Sequence, residues 1–565
     1  MKKIYLLTSC LFLFAGCETP NWNDSAYVSK LLTESDSSEV RMALDRLGGE
    51  KDELKNAVVP ALITVYKKKG ANQKKAMSLL VQIRSMKAKD VYLDELKTNA
   101  TGYAAASAAA LGDAKVKEAI PDLLAVLQSS SNADAKVGVI QALGKMPDPK
   151  IVKPLIEIIK LDVDNNPIKV HSYACDVLGD VALAFPDALD DADIKQLTLS
   201  VFFGTTGGRS LDKPCGLAIQ KVGKKAIPHL AAIFKGERAD INKLILKYDK
   251  PVDPFPSNSP KLIAAKRMTS LRAPEAVDLF IADLERVKGA PATLKGDAAV
   301  HYRVKEGQIT SEIIRSLGDL KSPKAVKLLA DITAGKYVTE QWDEITDGRV
   351  ELQLRQEAAY ALNQIGDRSK VELLLKMADE GVVNDMEKRW MIAARKGPVK
   401  DVLRYQFNWM MAYSYAMLND GSGEGDLKKL IDKNAKKYDG LSKKMSIYLP
   451  VIALAKACSP KKDDAAKAAC YAAKLGDASS EIREKAVWEI ARLKPEVART
   501  TLLAAWNTKF LDTREIITSS LYAVADKSVA AKASEILEAE KNKSDKGFKL
   551  SHLRFKLLHA YAIQH

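Results

Sequence analysis

The stretch "AAASAAALGDAKVKEAIPDLLAVLQ" at 104–128 is followed closely by "AKVGVIQALGKMPDPKIVKPLIEIIK" at 135–160, and the two share one grammar. An alanine-rich segment ends in Leu-Gly. A short polar turn comes next, and a second segment opens near a proline and continues with Leu, Ile and Val at intervals of three and four. That spacing predicts paired helices repeated along the chain. Alanine lets one helix lie close to its neighbour, and the Leu/Ile/Val stripe is a buried face. Pro121, Pro154 and Pro228 suit a first helical turn, where a missing N–H costs nothing. The glycines after Leu111, Leu143, Leu178 and Leu317 are expected to adopt a left-handed conformation and close a helix. No single pair can bury its stripe alone, so the pairs must stack.

The pattern returns in "SYACDVLGDVA", "CGLAIQKVGKKAIPHLAAIFKGE" at 215–237, "SEIIRSLGDLKSPKAVKLLADI" at 311–332, "RQEAAYALNQIGDRSKVELLLKMA" at 355–378 and "REKAVWEIARLKPEVARTTLLAAW" at 483–506. These segments resemble the HEAT-repeat family in its bacterial short-repeat form. The resemblance is strongest over 100–240 and 310–380 and looser over 400–535. It implies an all-α, HEAT-like α-solenoid of stacked antiparallel helix pairs, a fold that serves many functions. The expected organisation is a first array over 31–246, then a proline-rich loop, one helix pair and a long loop over 247–308. Central repeats over 309–440 and C-terminal repeats with a capping helix over 441–565 complete it. The prolines of "KYDKPVDPFPSNSPK" at 247–261 exclude helix there, and "VKGAPATLKGDAAVHYRVKEGQ" at 287–308 reads as the second loop.

The amino terminus carries a different kind of signal. Lys2 and Lys3 precede an apolar run too short to span a bilayer, which needs roughly 20 residues. The run stops at Phe14-Ala15-Gly16-Cys17 with Glu18 directly behind. A basic start, an apolar core and a small-residue end are the layout of an export signal. This end resembles the lipobox of bacterial lipoproteins, with Phe14 where the family usually has Leu. The resemblance implies cleavage between Gly16 and Cys17, a lipid on the Cys17 sulfur, and palmitate-type acyl chains holding the protein at a membrane. Two or three acyl chains anchor stably where one is marginal. Residues 17–30 then read as a polar tether. Glu18, rather than the Asp that in enteric bacteria favours inner-membrane retention, tilts the expectation towards the periplasmic face of the outer membrane.

The net charge of +15 becomes +13 once Lys2 and Lys3 leave with the signal. An exported protein does not meet nucleic acid as its normal ligand, and the lysines are interspersed with acids, as in "KKDDAAK". They read as solvated helix faces. Of six cysteines, Cys10 leaves and Cys17 is the anchor. Cys175, Cys215, Cys458 and Cys470 remain, widely spaced and without C-x-x-C. Cys458 and Cys470 flank the breaker "SPKKDD", which allows either a bridge between neighbouring helices or two separate buried thiols.

Little points to catalysis. The six histidines form no H-E-x-x-H, H-x-H or His-Glu dipeptide, so no metal or cofactor is expected. "GTTGGRS" at 204–210 lacks the spacing that brings a lysine to a phosphate. "NDGSGEGD" at 419–426 has Ile431 where a calcium loop starting at Asp420 would need its bidentate acid. The most aromatic stretch, "RYQFNWMMAYSYAM" at 404–417, puts Tyr405, Trp409 and Tyr413 on one helix face behind Arg404. Two readings stand: a partner surface of aromatics and arginine, or a core helix packed by large residues. Concave faces of such arrays are lined by second helices. Lys153, Lys160 and Lys235, with Asp122, Glu157 and His229, are therefore expected to face solvent and a protein partner. The expected function is a lipid-anchored, non-enzymatic scaffold or protein-binding module of the cell envelope. The alternatives are a lyase-type enzyme of the kind bacterial HEAT-like repeats also form, and a cationic binder of anionic envelope polymers.

Overall fold

A computed structural model describes residues 21–565 apart from 131, 162–166, 204–209, 249–258, 289–296, 338–348, 380–399, 437–438 and 541–545. Gly16 and Cys17, the "GTTGGRS" segment up to Arg209 and most of the proline-rich loop lie outside the described residues. Two compact units are present, Met1–Ala188 and Leu189–His565. The division falls well before the expected boundary at 246, so the helix pair over 212–234 belongs to the second unit.

Both units are HEAT-like solenoids of stacked antiparallel helix pairs, and every regular segment among the described residues is helical. In the first unit, the first helices of successive pairs stack in series: Ala104–Asp113 on Ala133–Gly144, and that on Ile168–Ala184. The second helices Ile120–Ser129 and Val152–Lys160 pack beside them. Leu123, Leu127, Leu155 and Ile159 are the fully buried knobs of those second helices. Proline sits in the first turn of Ile120–Ser129 and of Ile227–Phe234.

The repeat glycines do something other than what their position after leucine predicts. Gly112, Gly144, Gly179 and Gly318 are absent from the residues with positive φ. Gly112 lies inside its helix, and a Cβ there would sit 2.7 Å from Ala142 Cα on the next first helix. A Cβ on Gly318 would likewise meet Ala361 Cα at 2.7 Å. These glycines let backbones approach across the stack. The left-handed turn is made three residues later, by Lys115 (φ 53) and Lys321 (φ 53). At the first, Val116 N–H bonds back to the Leu111 carbonyl at 3.0 Å and closes the helix end.

Two further expectations are corrected. Residues 297–308, read as loop, form the start of the 23-residue helix Asp297–Asp319. Beyond Pro291 and Gly296 no proline interrupts the chain, and the glycine Gly307 costs only about 1 kcal/mol in a helix that packs well. The tether read over 17–30 ends sooner. Asp24 accepts a hydrogen bond from Ala26 N–H and caps a helix over Ser25–Glu34 that buries Val28 and Leu32.

Within the second unit, Asp212–Val222, Ser259–Ser270, Asp297–Asp319, Arg349–Ile365 and Lys400–Leu418 stack in a series of their own. It then turns back. The C-terminal helices Ser480–Ala491, Leu511–Leu521 and Lys546–Gln564 pack in order on one another, and the last of them packs against Asp212–Val222 at the start of the unit. Gln564 Nε2 donates to the Gln220 and Lys221 carbonyls at 3.0 and 2.9 Å. The unit is closed on itself, with a core of Trp506, Phe555, Ile517, Leu521 and their neighbours behind the closing surface.

Candidate functional site

The closure has a regular construction. Its near side is the row of turns after the first helices, and the residues at the heart of those turns have positive φ: Gly223 (75°), Arg272 (52°), Lys321 (53°) and Gly366 (84°). At the two outer turns side chains from the ends of C-terminal helices lie directly on the backbone. A Cβ on Gly223 would fall on Gln564 Oε1, and one on Gly366 would lie 2.9 Å from Arg492 Nε. At the two inner turns the chain carries cations instead. Ala273 N–H bonds back to Met268 O, and Lys321 N–H to Gly318 O, each at 3.0 Å. Those bonds aim Arg272 and Lys321 into the seam.

Between these turns and the Ser480–Ala491 and Leu511–Leu521 helices lies a cavity of ≈ 30 Å³, walled by Arg272, Asp319, Lys321, Gln364, Arg492 and Ser520 among others. It has room for about two water-sized groups and is far below the roughly 300–1,000 Å³ of sites for organic ligands. The Arg272 guanidinium donates to the Asp319 backbone carbonyl and lies 4.4 Å from the centre of the Tyr522 ring. Its Nε is buried without a partner. Asp319 Oδ1 accepts from Gln364 Nε2 at 2.7 Å. Burial, and then the neighbouring Arg272 and Arg492 charges, push the Lys321 ammonium down to about 8. Behind the wall, Arg492 donates to Glu489 at 2.7 Å. Arg368 reaches the same carboxylate at 2.9 Å. Lys485, wholly buried, holds Glu489 at 2.8 Å and also donates to the Met417 and Asn419 carbonyls at 2.8 and 2.7 Å. Burial pushes Lys485 down to about 8. Burial also opposes ionisation of Glu489, but Lys485, Arg492 and Arg368 together overcome it and hold the carboxyl at about 2.

A second buried carboxyl lies on the same helix. Glu484 is pushed up to about 7 by burial, against hydrogen bonds from Tyr413 and Tyr360, with Glu481 and Asp512 adding to the rise. Tyr360 Oη donates to it at 3.3 Å. The Tyr360 ring packs edge-on against Trp488 at 5.4 Å and stacks on Tyr413 at 6.5 Å.

The residues singled out from sequence are divided between the two units. Lys153 and Lys160 are exposed on the Val152–Lys160 helix of the first unit, and Lys235 is exposed at the end of Ile227–Phe234 in the second. Lys160 pairs with Glu157 at 2.5 Å, and Asp122 with Lys97 at 3.1 Å. His229 is corrected: its side chain is only 12% exposed and bonds Asp191 at 2.9 Å. Tyr413 is also corrected, because it is buried among Met411, Met417 and Tyr448, with Trp409 packed against the same core. Large apolar neighbours claimed that helix face. Arg404 and Tyr405 lie on the Lys400–Leu418 helix, but their side chains lie outside what is described. Cys458 and Cys470 are joined by a disulfide with Cα atoms 5.6 Å apart. In the acidic loop, Asp420 accepts from Ser422 N–H and Oγ, while Glu424 pairs with Lys456 at 2.9 Å. Gly421 at φ 109 lies against the Lys456 backbone. The loop is a built turn. No group of three or more potential metal ligands occurs among the described residues.

The seam is not legible in the sequence. Arg368 and Glu489 are 121 positions apart, and Tyr360 and Glu484 are 124. In sequence, Lys485 and Glu489 read as an ordinary i,i+4 surface pair.

No protein-family model matches this chain, and no curated protein sequence matches it. Among solved structures, Kap121p bound to Ste12p is 10% identical with a TM-score of 0.37, over 96% of this chain and 75% of that one. Kap121p alone is 11% identical with a TM-score of 0.35, over 94% of this chain and 52% of that one. Kap121p bound to Pho4p is 11% identical with a TM-score of 0.28, over 94% and 60%. The chain therefore spans between about half and three quarters of those it resembles. Likenesses of this size carry no argument about partner or activity.

Proposed function

We propose that this protein is a lipid-anchored scaffold of a bacterial cell envelope, exported through its N-terminal signal and held at a membrane by acyl chains on Cys17. In this reading it recognises protein partners along its second helices and performs no catalysis. The observation that supports the protein-binding part of the reading is the way the second unit closes. The closing contacts come from first helices and the turns after them. The second helices keep charged outer faces, with Lys235 exposed beyond Ile227–Phe234 and Asp278 of Glu275–Lys288 exposed and paired to Lys324 at 2.9 Å. Such a row is an extended protein-binding surface of the type solenoids offer. The Cys458–Cys470 disulfide supports an oxidising, exported compartment. The periplasmic face of the outer membrane is the location this reading favours.

Two measurements test it. Metabolic labelling with a clickable fatty acid should mark the wild type and leave Cys17→Ser unlabelled; equal labelling sinks the anchor. Capture from detergent-solubilised envelopes, using the intact lipoprotein, should be weakened by charge reversal at Lys153, Lys160 and Lys235. Reversal at the first-helix positions Lys136 and Lys221 should matter less. Exposed substitutions of this kind change stability by only about 0.5 kcal/mol. If both sets weaken capture equally, or neither does, the second-helix row is not the surface.

A further inference from the structure

The seam cavity is walled by three cations and a single carboxylate. Arg272, Lys321 and Arg492 face it, and so does Asp319. Asp319 is engaged by Gln364 and makes no ion pair with Lys321 or Arg272 among the described residues. Arg492 is answered by Glu489, but that carboxylate is shared with Lys485 and Arg368. Lys321 makes no side-chain hydrogen bond or ion pair among the described residues, and Arg272 Nε is buried with no acceptor. Ser520 lines the same space and is buried.

Like charges gathered in a poorly solvated space repel. That cost falls if a negative charge with lone pairs enters. The size of the space selects among anions. About 30 Å³ admits a group of one or two water volumes, which excludes nucleotides, lipid headgroups and sugars. We propose that the seam cavity is a binding site for a small inorganic anion of halide size. In this site the anion lies against Lys321 Nζ and the Ser520 hydroxyl, with the Arg272 and Arg492 guanidinium charges on either side of it. It then serves as the bolt of the closure, because its ligands come from both sides: Arg272 and Lys321 from the turns after the first helices, Ser520 and Arg492 from the helices that fold back onto them.

The test uses the purified full-length chain and chloride as the probe. Thermal unfolding is followed while sodium chloride replaces sodium gluconate at constant ionic strength, and the ³⁵Cl NMR line width is recorded in parallel. The wild type should show a saturable rise in melting temperature with chloride, and a protein-dependent ³⁵Cl broadening that bromide competes away. Lys321→Met should lose both responses. In gluconate it should melt no lower than the wild type, because removing an unanswered cation relieves repulsion. If Lys321→Met does not fold, Ser520→Ala takes its place, with an expected several-fold weakening of the chloride midpoint. A wild type whose melting and line width are indifferent to chloride overturns the proposal and leaves the cavity to water. A variant that keeps the full chloride response overturns it too, since the ion then sits elsewhere.

Discussion

Arg492 donates a 2.7 Å hydrogen bond to the backbone carbonyl of Asn363, 129 positions earlier in the chain. This one contact ties the end of a first helix in the middle of the second unit to a helix near its C-terminus. Its neighbours on both sides do the same, from Gln564 on the Gln220 and Lys221 carbonyls to Arg368 on Glu489. An open solenoid has only nearest-neighbour interfaces and melts like a one-dimensional array. A unit whose last helix is bonded to one near its start has long-range interfaces as well, so it should unfold as one cooperative body.

Glu489 is the hub of that closure. It compensates the buried Lys485 ammonium as well as Arg492 and Arg368. Glu489→Gln leaves those charges without their carboxylate in a poorly solvated space. Removing one partner of a buried pair costs about 3–5 kcal/mol, and a loss of that size is expected in urea unfolding. Exchanging Lys485 and Glu489 together for Met and Leu should cost much less than the sum of the two single changes.

The glycines give a sharper contrast. Gly112→Ala gains about 1 kcal/mol of helix propensity. Its new methyl group would sit 2.7 Å from Ala142 Cα, a backbone atom that cannot swing aside. Overpacking costs about 1–3 kcal/mol, so the variant should be less stable than the wild type. Gly425→Ala has nothing within 4 Å of the new Cβ and lies in the helix Glu424–Ala435. There propensity acts alone and the variant should be more stable, by up to about 1 kcal/mol. Chemical denaturation of the two side by side reads the sign of each.

Helix pairs are legible in this sequence because their signals are local: alanine runs, proline in a first turn, Leu/Ile at three and four. The role of the repeat glycines is hidden for the same reason. Leu-Gly looks like a helix end, and only the neighbouring helix, with Ala142 against Gly112, shows that the glycine makes room. The ladder of Gly223, Arg272, Lys321 and Gly366 recurs at intervals of 49, 49 and 45 residues, a period that emerges only when the turns are aligned with one another. The opposite side of the seam is illegible, because Glu484, Lys485, Glu489 and Arg492 sit on and just beyond a helix that carries charge on every face. Such a helix looks solvated until the second half of its contacts arrives from more than a hundred residues away. The aromatic run around Trp409 and Tyr413 supports either a surface or a core, and burial by Met411, Met417 and Tyr448 decides for the core.

The Cys458–Cys470 bridge closes a loop of sequence separation 12. In chain-entropy terms a loop near that length contributes about 3 kcal/mol. The double variant Cys458→Ser, Cys470→Ser should lower the unfolding free energy by up to that amount. Dithiothreitol should lower the stability of the wild type in the same direction while leaving the double variant less affected. A denaturation midpoint of the wild type unmoved by reductant would show the bridge to be unformed or energetically idle.

Glu484 gives the closure a pH dependence of definite sign. Its carboxyl is buried beside Tyr360, Tyr413 and Trp488 and titrates at about 7 in the folded chain, against an ordinary 4.5. Between those two values the folded state holds a proton that the unfolded state has released. Stability from this group is therefore fully present below about 4.5 and falls as pH rises towards 7. Each tenfold change in proton affinity is worth about 1.4 kcal/mol, so the whole effect is on the order of 3 kcal/mol. Glu484→Gln keeps the shape and an acceptor for the Tyr360 hydroxyl but cannot ionise. Its unfolding free energy relative to the wild type should rise steadily from pH 4.5 to 7 and stay level above that. A difference that is flat across the window, or that falls, would mean that Glu484 is ionised in the folded protein throughout.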